Sequence, residues 1–117
     1  MAITKGTGTS VIASTASTTT SSAITATSDY ATEVYIDLIQ VGTATTAAKV
    51  QLQVSPDGGT TYYSPATLLW TAPLAAGTYD TVIQLPASTT KYKAVFTQQS
   101  GGTSSTVVVQ SNDVTAV

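Results

Sequence analysis

The chain has 117 residues, a formal net charge of −2, only 9% charged residues, and neither His nor Cys. That length suits one domain with one core. The missing residue types exclude disulfides, His or Cys metal sites, thiol nucleophiles and the imidazole base of most hydrolases, and the four lysines at 5, 49, 91 and 93 are too scattered to form the basic footprint of a nucleic-acid binder.

With 25 Thr, 12 Val and 6 Ile, 43 of the 117 residues are β-branched, so the composition predicts an all-β chain. Hydroxyls and amides, including 13 Ser and 7 Gln, cover the surface that Lys and Glu usually cover. Such a surface suits packing against other proteins, because a hydroxyl is less costly to remove from water than a charge.

Residues 1–29 are nearly all Gly, Ala, Ser and Thr and form a distinct N-terminal segment. Its only adjacent large apolar pair is Val11-Ile12, so it contains no apolar core of a signal peptide. Nothing in the chain is long and apolar enough for a membrane helix, and no basic amphipathic helix is present. The residues leave two readings of this segment open. One is a loose terminus followed by an edge strand near Ile24; the other is an arm that orders on a neighbouring subunit.

The predicted sandwich domain occupies residues 30–117. Val34, Ile36 and Leu38 alternate with Tyr35, Asp37 and Ile39, and apolar groups on both faces suggest a central strand. Val50, Leu52 and Val54 alternate with Lys49, Gln51 and Gln53, the pattern of a half-buried strand. The short link through Gly42 predicts a hairpin or a tight corner between the two, with antiparallel pairing.

Ser55-Pro56-Asp57-Gly58-Gly59 is the strongest turn, since Pro presets φ while Asp and Gly supply bends and positive φ. A short strand is expected at 60–63 and an apolar stretch at 67–71, each followed by a proline. Tyr79 to Leu85 reads as a strand with Tyr79, Thr81, Ile83 and Leu85 on one face and Val82 on the other. A final hairpin is expected, in which 91–98 turns at Ser100-Gly101-Gly102 into 103–110.

Seven or eight strands at this spacing, with Gly and Pro turns and no helical period, point to an antiparallel β-sandwich, with a barrel as the third choice. Immunoglobulin-like and jelly-roll topologies both fit, because strand order is not written in strand number.

Only carboxylates are left for catalysis. Glu33 and Asp37 are four residues apart on one strand, about 13 Å, too far for the pair of a retaining glycosidase. Asp57 lacks the ligand density of a calcium loop, so neither a metal nor any other cofactor is expected. Trp70, Tyr62 and Tyr63 cluster around Pro65, as rings in sugar-binding sandwiches do, but a lone Trp also serves as the anchor between two sheets. Of the paired tyrosines only one can face that core, which leaves the other for an interface.

The run from Val50 through Ser55-Pro56-Asp57-Gly58-Gly59 to Tyr62-Tyr63, followed by Lys91-Tyr92-Lys93-Ala94-Val95-Phe96, resembles small β-sandwich structural proteins of tailed bacteriophages. In these a strand ends in a Ser-x-Asp-Gly turn that leads to an aromatic residue, and a later strand carries a Lys-Tyr step. The resemblance is strongest to capsid decoration, or cement, proteins. It implies a non-enzymatic virion subunit, a homotrimer that binds the outside of the major capsid protein shell and is assembled in the host cytoplasm.

The partner contacts expected on this basis are Ile3, Val11 and Ile12, through strand addition by the Thr-rich segment, together with Tyr62 and Tyr63. A tail or baseplate subunit and a glycan-binding module are the alternatives.

Overall fold

Alternation of β-branched and polar residues produces strands throughout the computed structural model, which describes residues 4–5, 8–26, 31–102 and 104–116. The strands are β1 (Thr4–Lys5), β2 (Thr9–Thr15), β3 (Thr19–Thr20), β4 (Ile24–Thr25), β5 (Ala31–Val41), β6 (Lys49–Ser55), β7 (Leu69–Thr71), β8 (Gly77–Gln84), β9 (Lys91–Thr97) and β10 (Ser104–Ala116). A single 3-10 turn, Ala66–Leu68, precedes β7.

They form two antiparallel sheets packed as a β-sandwich. In the first sheet β10 lies between β5 and the paired segments β1 and β2, and β8 completes the other edge beside β5. In the second, β9 lies between β6 and the segments β3 and β4, with β7 on the far edge. The pairs β5–β8 and β6–β9 correspond to the B–E and C–F pairs of an immunoglobulin arrangement. The chain ends are exchanged relative to that arrangement: the last strand lies beside β5, and the N-terminal segment lies beside β9.

The core is filled from both inner faces. Val34, Ile36 and Leu38 of β5 and Val107 and Val109 of β10 face Val50 and Leu52 of β6 and Tyr92, Ala94 and Phe96 of β9. Trp70 packs against this cluster from β7 while remaining half-buried, as an inter-sheet anchor does. The buried Tyr92 hydroxyl meets Ser111 Oγ at 2.7 Å and ties the two sheets together through their centre. Burial raises the Tyr92 phenol pKa above its ordinary value, with the Asp113 carboxylate adding to the rise and the Ser111 bond opposing it.

Two expectations about pairing are corrected. The strands around Gly101 do not form a hairpin, because β9 belongs to the second sheet and β10 to the first. Likewise β5 and β6 turn a corner between sheets and do not pair. Strands with one buried face gain more from placing those faces against each other across the core than from lying side by side. Gly101, at φ 79°, makes the second crossing possible, since a Cβ there would overlap the Thr45 hydroxyl. The strand expected at 60–63 shrinks to one bridge between Tyr63 and Val54.

Residues 9–25, expected to supply an arm and an edge strand, lie along the open edges of both sheets. β2 pairs with β10 through two register shifts, and β3 and β4 pair with β9. Between them the Gln98 side chain donates to the carbonyls of Ala16 and Ser105 and accepts from the Ser105 amide, binding the segment to the β9–β10 crossing. The register shifts twist the edge strand and make it a poor template for further pairing.

Candidate interaction face

The outer face of the first sheet carries the most unusual chemistry. On β5 the even positions point into the core and the odd positions, Glu33, Tyr35, Asp37, Ile39 and Val41, point outward. Tyr35, Ile39 and Val41 are 44%, 46% and 49% exposed, and Val82, which pairs with Tyr35 on β8, is 49% exposed. Isolated apolar side chains on a surface are ordinary, but a run of them across adjacent strands makes this face the candidate for a contact surface.

At the centre of this face Asp37 of β5 lies directly opposite Asp80 of β8. A hydrogen bond from one carboxyl to the other holds the Asp37 pKa above its ordinary value, with lesser contributions from partial desolvation and from the Asp80 charge. The pair lies in a shallow depression of about 470 Å³ bordered by Tyr35, Val82, Val108 and Gln110.

Chemically the pair can share a proton or accept donors from a partner. Carboxyls in mutual hydrogen-bond contact are closer than the about 5 Å that a retaining glycosidase leaves between its acid and nucleophile. The depression opens along a sheet surface, whereas catalytic dyads with a shared proton work in sites that exclude water. Among the described residues no three acidic side chains gather as a metal cage. No helix among them is long and apolar enough to cross a membrane.

The residues expected to contact partners are dispersed. Ile3 lies outside the described residues. Ile12 lies in the core at 4% exposure, and Val11 packs partly buried against that core. The reason is spacing: the β2–β10 register places Ile12 opposite Val109, whose side chain faces inward. Tyr62 is half-buried with the Lys93 ammonium 4.2 Å from its ring centre, and Tyr63 is 56% exposed. Neither tyrosine enters the core.

That turn is built as its sequence predicts. The buried Ser55 hydroxyl donates to Asp57 Oδ1 at 2.7 Å and accepts from the Gly59 amide at 2.9 Å, and Asp57 Oδ1 accepts from the Thr61 amide at 2.9 Å. These bonds hold the Asp57 carboxyl below its ordinary pKa, the Ser55 hydroxyl having the largest effect. Asp57 is thus engaged within its own turn.

The Asp37–Asp80 juxtaposition is absent from a reading of sequence alone. Both residues are visible there as outward positions on strands, but their meeting depends on which strands pair and in what register. Comparisons with family models, with curated proteins and with solved structures find no match to this chain. Function is therefore argued from this face.

Proposed function

We propose that the chain is a non-enzymatic structural subunit of a tailed-phage particle, a decoration or cement protein that binds the outside of the major capsid protein shell and stabilises the head. The observation that carries this reading is the outer face of the first sheet, where Tyr35, Ile39, Val41 and Val82 are each more than 40% exposed on neighbouring strands. Covering such side chains is favourable, and the two carboxylates among them give the contact orientation. The resemblance of residues 50–63 and 91–96 to phage decoration proteins supports the setting, the virion location and a trimer whose assembly the shell itself drives. The two-sheet body, closed along one edge by its own N-terminal segment, suits a subunit that transmits load and does not deform.

Heads and tails assembled without the protein provide the test. Purified chain is expected to co-sediment with heads and to raise the temperature at which they release DNA. The double variant Tyr35→Ala/Val82→Ser, with an unchanged far-UV circular dichroism spectrum, is expected to lose that binding. Binding to tails alone would reassign the protein to a tail or baseplate, and binding to neither would overturn the reading.

A further inference from the structure

The two outer faces of the sandwich carry opposite charge in matching rows. On the first sheet one row is Glu33 with Gln84 and Asn112, the next is Tyr35 with Val82 and Gln110, and the third is Asp37 with Asp80 and Val108. On the second sheet Lys49 lies in a row with Thr71 and Thr97, the next row is Gln51 with Leu69 and Val95, and the third is Gln53 with Lys93. Successive outward rows are about 7 Å apart along any strand. The order is therefore acid, apolar, acid pair on one face and base, apolar, base on the other, with the charged rows about 13 Å apart on both.

Within one copy these charges are separated by the thickness of the sandwich and cannot neutralise each other. We infer that the occupant of the acidic face is a second copy of this chain, docked head to tail through its lysine face. This rests on the reading of the acidic face as a docking surface: in a stack of copies only the end copy keeps that face free, and it is this copy that meets the shell. In register, Lys93 meets Asp37 and Asp80, Lys49 meets Glu33, Gln51 lies over Tyr35, and the half-buried Val95 covers Val82.

Lys91, two residues from Lys93 on the same face of β9, adds positive charge one row beyond it. A cation satisfies two like charges held directly opposite each other, an arrangement that otherwise weakens a sheet. Asp57, at the rim of the lysine face, does not oppose the contact because its carboxylate is committed to Ser55 and Thr61. Different surfaces meet, and because they lie on opposite sides of the sandwich the copies stack in an open row with one unpaired face of each kind at its ends.

The full chain is first examined by light scattering at millimolar concentration. In low salt the mean mass is expected to reach at least twice the 11.9 kDa of one chain. It should return to that of one chain in about 1 M salt, where charges are screened beyond about 3 Å. Two variants, each with one face neutralised, then isolate the contact. Glu33→Gln/Asp37→Asn/Asp80→Asn and Lys49→Gln/Lys91→Gln/Lys93→Gln are each expected to remain monomeric alone. Mixed in equal amounts, they are expected to form a dimer and nothing larger, because each supplies the face that the other lacks.

A wild-type chain that stays monomeric in low salt overturns the inference, as does association of either variant alone to the wild-type extent. If self-association fails while Tyr35→Ala/Val82→Ser still abolishes head binding, the face docks on the shell and only its pairing with a second copy is wrong. If that double variant also retains head binding, the docking-face reading falls too.

Discussion

Ser55 shows how one buried hydroxyl can hold a turn. It is fully buried, donates to Asp57 and accepts from Gly59, while the neighbouring Thr90 hydroxyl donates to the Ser55 carbonyl and accepts from the Gly58 amide. Ser55→Ala removes the central partner of these groups and is expected to destabilise the fold by about 1–3 kcal/mol, read as a lower urea midpoint with an unchanged slope. This turn was legible in sequence because Pro, Asp and Gly impose it locally.

The acid pair behaves oppositely at the same scale. Asp37 has a raised pKa in the folded chain, so the stability contributed by the shared proton is full below the ordinary value of 3.8 and is lost as pH rises through the raised value. Asp57 has a lowered pKa and contributes stability above 3.8 that is lost as pH falls through its lowered value. Asp37→Asn keeps a hydrogen-bond donor toward Asp80 at every pH. At pH 7 it is expected to raise stability by about 0.2–1 kcal/mol, and the gain should shrink toward acid in urea titrations across that range.

At the scale of elements, the faces of strands were legible but their neighbours were not. Val50, Leu52 and Val54 announce a buried face by alternation, and the structure buries all three. Alternation is silent about the partner strand, which is why the β9–β10 turn reads as a hairpin although the strands belong to different sheets. The Thr-rich segment was harder still, since its strands are short and its register shifts twice against β10, leaving Ile12 as the one fully inward anchor of β2.

Burial of that side chain sets an expectation for the segment. Ile12→Ala should cost about 2–5 kcal/mol in denaturant unfolding, as large-to-small changes in cores do. Deletion of residues 1–20 would cost more than Ile12→Ala alone, because it also removes the β2 and β3 pairings and the Gln98 bond to the Ala16 carbonyl. A free docking arm would give the opposite result, leaving the unfolding midpoint unchanged on truncation.

For the whole molecule, sparse charge makes solubility depend on where each charge sits. With a pI near 4.5, the chain approaches zero net charge at a pH where carboxylates begin to take up protons. Asp37, with its raised pKa, takes up its proton at a higher pH than an ordinary aspartate, and it occupies the centre of the most apolar exposed face. Protonation there lowers the charge that keeps two such faces apart, at a position ringed by Tyr35, Ile39, Val41 and Val82. Lowering the pH from 7 toward 4.5 should therefore produce turbidity by face-to-face association of the first sheet. Val82→Lys places a permanent charge on that face and is expected to suppress the turbidity, whereas Lys93→Gln, on the opposite face, should leave it in place. Suppression by the Lys93 change would instead mean that the acid-induced particles use the lysine face, and equal turbidity in all three proteins would remove the first sheet from the explanation.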